Sequence, residues 1–248
     1  MNTATAEAVE PVAGRIYQEH DADLPDELRQ LIIRSLTKHI ENTTNPHFTK
    51  LLNYLWERCL TLCPDEETKD QLALLMMQEV GHGVITWRIL KGFGIDKVDV
   101  PVDKYQYAFN IPIDTWCDLC YFQALTDRVG VYVGENWGDV PYEPMRKVAP
   151  QLHSEELFHC NLGYKNLARH CKTEAGLAEA NELINKWWPA ALDMFGQSRS
   201  TASAGYVKWG IQKKGNAELR AQYIADTRPL LAKLGINVPD DTANRRFT

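Results

Sequence analysis

The sequence predicts an all-α fold, a four-helix bundle with additional flanking helices. Apolar residues recur at three- and four-residue spacing along most of the chain, and no segment reads as a strand. The pattern Glu-x-x-His occurs twice, in Gln78-Glu79-Val80-Gly81-His82 and in Glu155-Glu156-Leu157-Phe158-His159. Residues i and i+3 share one face of a helix, so each copy presents a carboxylate and an imidazole to one point in space. Two such helices facing each other, with a further carboxylate from each of the two remaining helices, supply the ligand set of a ferritin-like dinuclear iron or manganese site. One copy arises easily by chance; two, each inside a helical stretch, point to a metal centre.

The elements follow in order. Pro25, Asp26 and Glu27 mark a helix start, and Leu28, Leu31, Ile32 and Leu36 recur at helical spacing until Asn45-Pro46 ends the run. A short helix over 49–62 carries Leu51, Leu52, Leu55 and Cys59 on one stripe. Asp65, Glu66 and Glu67 form an acidic first turn, which suits the helix dipole, and lead into a long helix that passes Glu79 and His82 and ends near Gly92 or Gly94. Residues 95–113 read as a loop. Asp114-Thr115-Trp116 opens a helix to about Trp137, with a break over 138–142. Pro144 opens the next long helix, through Glu156 and His159 towards Cys171; further helices are predicted over 179–195 and 217–234, with a small-residue loop over 197–205. The organisation expected is a single helical domain over 21–238 between flexible tails at 1–20 and 239–248.

A chain of 248 residues is long enough to bury a sizeable core. A net charge of −6 argues against nucleic acid or an anionic membrane as the main partner. No apolar run approaches the roughly 18 residues of a membrane span, and the N-terminus does not read as a secretory signal, so a cytoplasmic protein with reduced, mostly buried thiols is expected. Cys117-x-x-Cys120 has no second CxxC at zinc-ribbon spacing and does not read as a four-cysteine zinc site.

Glu79 and His82 sit among Leu74, Leu75, Met76, Met77 and Val80, where burial of an uncompensated charge is costly and metal coordination relieves the cost. Counting back about thirty residues from Glu156, enough for a helix to leave the site and return, favours Asp127 over Asp118. These two aspartates are nine positions apart, which at about 100° per residue puts them on opposite faces of a regular helix. On the first hairpin, Glu41 is the candidate, the alternative being a site that lacks this ligand; Glu57 is expected to face solvent.

At these residues the chain resembles the catalytic, iron-carrying subunit family of the phenylacetyl-CoA epoxidases, in the phenylacetic acid catabolic branch of ferritin-like diiron monooxygenases. The resemblance rests on LPDELRQLIIRSL, EVGHG, KYQYAFNIPIDTWCDL, EELFHCNLGYKNL, KWWPAALDMFG and LGINVPD, between about Leu24 and Asp240. It implies Glu79, His82, Asp127, Glu156 and His159 as metal ligands. The family's first-helix glutamate falls on Thr43, two positions from Glu41. Arg34 and Lys104 match basic positions that bind the nucleotide end of coenzyme A, whereas Val133 stands where the family has asparagine.

The function so implied is an oxygen-dependent diiron monooxygenase, an epoxidase or hydroxylase, with two iron ions (manganese being the alternative) and O2 as co-substrate. The substrate expected is an aromatic or unsaturated small molecule carried as an acyl-CoA thioester. Nothing in the chain resembles a nucleotide or iron–sulfur motif, so a separate reductase and a second ferritin-like subunit are expected partners in an oligomer. Trp116, Phe122 and Phe158 are candidates to line the cavity. The alternatives are a non-catalytic ferritin-like partner subunit, favoured by Thr43, and a ferroxidase or iron-binding protein.

Overall fold

The computed structural model describes residues 11–247 except 13, 39–44 and 100–106. Its helices are α1 (Asp26–Thr37), α2 (Pro46–Leu62), α3 (Glu66–Gly92), α4 (Trp116–Tyr121), α5 (Arg128–Gly134), α6 (Glu143–His170), α7 (Glu174–Asp193), α8 (Thr201–Lys208) and α9 (Asn216–Lys233). The only β pairing among the described residues is a bridge between Tyr17 and Tyr142. The fold is all-α and ferritin-like, as expected. No described helix is long and apolar enough to cross a membrane.

Two long helices, α3 and α6, carry the Glu-x-x-His copies and run antiparallel. Three rungs set their register. Arg169 donates to Asp65 (2.8 Å) and Thr68 (3.0 Å), His159 pairs with Gln78 (2.9 Å), and His82 pairs with Glu155 (2.7 Å). At the first rung Asp65 also caps α3 by accepting from the Thr68 amide. Hydrogen bonds from Thr68, then from Arg169, hold the Asp65 carboxyl down to about 2, so the cap stays charged well into the acid range.

The expected regular helix over 114–137 is different in the structure. Thr115 and Asp118 form a capping box at the start of α4, but residues Phe122–Asp127 are π-helical before α5 resumes the α-helix, and Glu135–Asp139 end it as a 3₁₀ turn. The widened turn lies against Gly163 of α6. A Cβ there would stand 2.4 Å from the Ala124 backbone nitrogen and 2.5 Å from the Gln123 Cβ, so glycine is what allows the approach. Asp118 does face away from Asp127's partners: it is buried against Trp187 Nε1 (2.8 Å) and Lys186 Nζ (2.7 Å) of α7.

Other departures have local causes. The first helix, expected to run to Asn45-Pro46, ends at Thr37 with Lys38 as its C-cap; Asn45 instead caps α2, with Pro46 in the first turn and the His47 amide donating to the Asn45 side chain, so α2 begins three residues early. Helix α8 begins inside the expected loop over 197–205 and runs past it to Lys208, capped by Ser200, with Gly205 packed on Leu31. Tyr107–Asn110 form a 3₁₀ turn within the expected loop over 95–113. Leu74 and Met77 are exposed, at 42% and 65%, so only one side of α3 buries its apolar residues. Residues 239–247, expected as a flexible tail, are tied to the bundle: Trp188 donates to Asp241, Arg228 bonds Asp241 and two backbone carbonyls, and Arg245 pairs with Asp193. At the other end Tyr17 is buried and its amide donates to Pro141.

Candidate metal centre

The structure brings together five of the sequence-predicted site residues. Glu79, Asp127 and His159 offer ligand atoms that all lie within 4.8 Å of one another, and so do Glu79, His82 and Glu156. The two groups share Glu79. His159 Nδ1 is 2.9 Å from Glu79 Oε1; His82 Nδ1 is 3.6 Å from Glu156 Oε1 and 3.9 Å from Glu79 Oε2. Both imidazoles are fully buried, and their rings lie 5.7 Å apart between centroids.

Each ring is held from outside by the other helix. His82 Nε2 pairs with Glu155 Oε2 and His159 Nε2 with Gln78 Oε1. An acceptor at Nε2 fixes the proton there and turns the Nδ1 lone pair inward, the arrangement that metal-ligating histidines adopt. The residue preceding the glutamate in each motif therefore serves the histidine of the other. Sequence reasoning assigned Gln78 and Glu155 no role, although the parallel spelling Gln-Glu-x-x-His and Glu-Glu-x-x-His carried the signal.

The donor set fits a pair of divalent or trivalent cations. Three carboxylates and two imidazoles crowd a largely buried space, where like charges repel unless a cation lies between them. Ligands about 2.0–2.2 Å from one ion and at right angles stand about 3 Å apart, close to the separation of His159 Nδ1 and Glu79 Oε1. Space for the Glu156 carboxylate is made by Gly130, whose added Cβ would meet Glu156 Oε2 at 2.8 Å.

A cavity of about 410 Å³ is lined by Glu79, Asp127 and Glu156. Its wall also carries Phe109, Phe122, Leu119 and Met76, with the exposed Arg34 and half-buried Lys38 of α1. Burial, with Arg34 next to it, holds the Lys38 ammonium below its usual range. Cys59 lines the same space; burial first, then the charges of Asp127 and Glu79, pushes its thiol up to about 12, so it remains a neutral thiol. Two buried polar atoms in the wall, Gln123 Oε1 and Thr126 Oγ1, have no hydrogen-bond partner among the described residues. Of the aromatic candidates Phe122 lines the cavity, whereas Trp116 and Phe158 pack against the main core. Glu57 is exposed. Glu41, Thr43 and Lys104 lie outside the described residues.

A family model described as phenylacetic acid catabolic protein matches residues 53–246, which include all five converging residues. The chain belongs to this family. Within it, the chain is 27% identical over 227 residues to a 1,2-phenylacetyl-CoA epoxidase subunit of Escherichia coli (strain K12), an alignment that covers 88% of this chain and 71% of that protein.

Proposed function

We propose that this protein is the metal-bearing subunit of an oxygen-dependent monooxygenase, acting on an aromatic or unsaturated acyl-CoA thioester. The observation that carries the reading is the pair of histidine–carboxylate groups sharing Glu79 in the wall of one cavity with Arg34. Glu79, His82, Asp127, Glu156 and His159 would hold two iron ions, with manganese the alternative, and Glu41 is the candidate sixth ligand. When bound, the metal pair supplies the reduction of O2, with one oxygen atom going to the substrate and the other to water.

The chain's own residues do the rest. Glu155 and Gln78 orient the two imidazoles. The apolar wall of Leu119, Phe122, Phe109 and Met76 excludes water from the reacting carbon. Arg34 and Lys38, with Lys104, bind the anionic end of the thioester, and Thr126 and Gln123 offer polar atoms to the group lodged nearer the carboxylates. The electrons come from a separate reductase. A second ferritin-like subunit is the expected partner, and the exposed Leu60, Leu74, Met77 and Leu157 support a protein-covered surface.

The test is substrate-dependent oxygen uptake by iron-loaded protein with phenylacetyl-CoA, a reductase and the companion subunit. Uptake coupled to an oxygenated thioester supports the reading; iron-loaded protein that consumes no oxygen with any acyl-CoA overturns it. The non-catalytic partner reading, which Thr43 favours, requires a soluble, folded protein that stays metal-free.

Gly130→Ala separates the centre from the fold. Alanine favours the helix by up to about 1 kcal/mol over glycine, so thermal stability is expected to hold or rise. The Glu156 carboxylate must move away from the new methyl group, and metal affinity is expected to fall roughly tenfold, read by metal content after dialysis against a weak chelator. Unchanged affinity would show that Glu156 is not a ligand.

A further inference from the structure

A second set of metal-type donors converges where α4, the end of α6 and α7 meet. Cys117 Sγ, a ring nitrogen of His170 and a carboxylate oxygen of Glu179 all lie within 4.8 Å of one another. His170 Nε2 stands 2.9 Å from Glu179 Oε2. The set is distinct from the carboxylate centre: His170 is eleven residues beyond His159 on α6, about 16 Å at 1.5 Å per residue. Cys117 is fully buried beneath the pair, and the His170 and Glu179 side chains, 20% and 33% exposed, form the rim. Two further free thiols lie nearby, Cys120 one helical turn along α4 and Cys171 directly after His170.

The chemistry of the set is selective. One thiol, one imidazole and one carboxylate are the borderline-soft donors that suit tetrahedral zinc, and carboxylate-only preferences such as those of magnesium or calcium leave the thiol unused. We propose that Cys117, His170 and Glu179 form a three-donor site for a zinc-type divalent cation, with solvent in the fourth position at the exposed rim. The cation takes the sulfur as thiolate, and the thiol proton leaves to solvent. Burial raises the free Cys117 thiol, so without a cation it stays protonated and inert. The lack of a second CxxC pair beside Cys117-x-x-Cys120 argued against a four-cysteine zinc site. This set uses one of those thiols and draws its other donors from helices far apart in sequence.

The site would clip the start of α4 to the α6–α7 turn. Because α4 leads directly into the π-helical turn that ends at Asp127, the clip fixes the element that delivers a residue of the carboxylate centre.

Cobalt(II) titration of tag-free, full-length apoprotein tests the proposal without reference to activity. Thiolate-bound cobalt absorbs in the near ultraviolet by sulfur-to-metal charge transfer, and cobalt held by carboxylates and imidazoles alone does not. A saturable charge-transfer band that zinc displaces is expected, lost in Cys117→Ser and weakened at least about tenfold in affinity in His170→Ala. Cys59→Ser is the control, since Cys59 is the thiol beside the carboxylate centre, and it should keep the band. No band, a band that survives Cys117→Ser, or one lost in Cys59→Ser overturns the assignment. Should Cys117→Ser fail to fold, His170→Ala, at the partly exposed rim, carries the same readout.

Discussion

His159→Ala is expected to leave the purified protein with little of its bound metal, and His82→Ala to remove part of it, at nearly unchanged helix content. His159 is the more sensitive. Its Nδ1 lies 2.9 Å from Glu79, the residue common to both groups, so its loss disturbs the shared carboxylate as well as one cation. His82 Nδ1 stands farther from its carboxylates, at 3.6 and 3.9 Å, and its removal should empty chiefly one half of the centre. Loss of a direct ligand is expected to exceed the 10–100-fold affinity change typical of outer hydrogen-bond partners, which is the scale predicted for Glu155→Gln. Metal content per chain, measured beside circular dichroism, reads the result. Wild-type metal content in both histidine variants would overturn the site assignment. A full-length protein that loses helix content along with metal would instead show that the two imidazoles are structural.

How much of this was legible in sequence can be traced residue by residue. The two Glu-x-x-His copies were legible because a helix repeats a face every three or four residues, so four positions are enough to aim two side chains together. Their convergence with Asp127 was anticipated by counting along helices. That count assumed a regular helix, and the structure has a π-helical turn over Phe122–Asp127. The turn depends on contact with α6 at Gly163, a tertiary condition that no local spacing encodes. Gln78 and Glu155 stood in plain view inside the motifs, but their crossed pairing needs the antiparallel register of α3 and α6. The exposure of Leu74 and Met77 was hidden for a related reason. Apolar residues surround α3, and sequence alone cannot say which side meets another helix and which meets solvent or a partner chain. The Cys117, His170 and Glu179 set was invisible altogether, since its members come from three helices with no motif spacing.

The C-terminal segment was misjudged on composition, and Arg245→Ala measures by how much. Polar residues at a terminus read as disordered when no partner is in sight. Here the partner is Asp193, the last residue of α7, buried with its carboxylate at the end of the helix where the dipole disfavours negative charge. Arg245 Nε donates to Asp193 Oδ1 at 2.6 Å, and the backbone amides of Arg246 and Phe247 donate at 2.7 and 3.1 Å. Both side chains are nearly inaccessible, at 6% and 0%. Exposed pairs such as Arg15–Asp21 are worth at most about 1 kcal/mol, but removing one partner of a buried pair strands the other and costs about 3–5 kcal/mol. Arg245→Ala is therefore expected to lower the melting temperature by roughly 10 °C, at about 2–4 °C per kcal/mol for a chain of this size. The paired variant Asp193→Leu with Arg245→Met, which removes both charges, should recover much of the loss. Phe247 lines the cavity, so the single variant should also weaken binding of the acyl-CoA thioester proposed above, while the metal content stays at the wild-type level. A melting shift below about 2 °C would mean that residues 239–247 detach in solution and that the buried pair does not hold them.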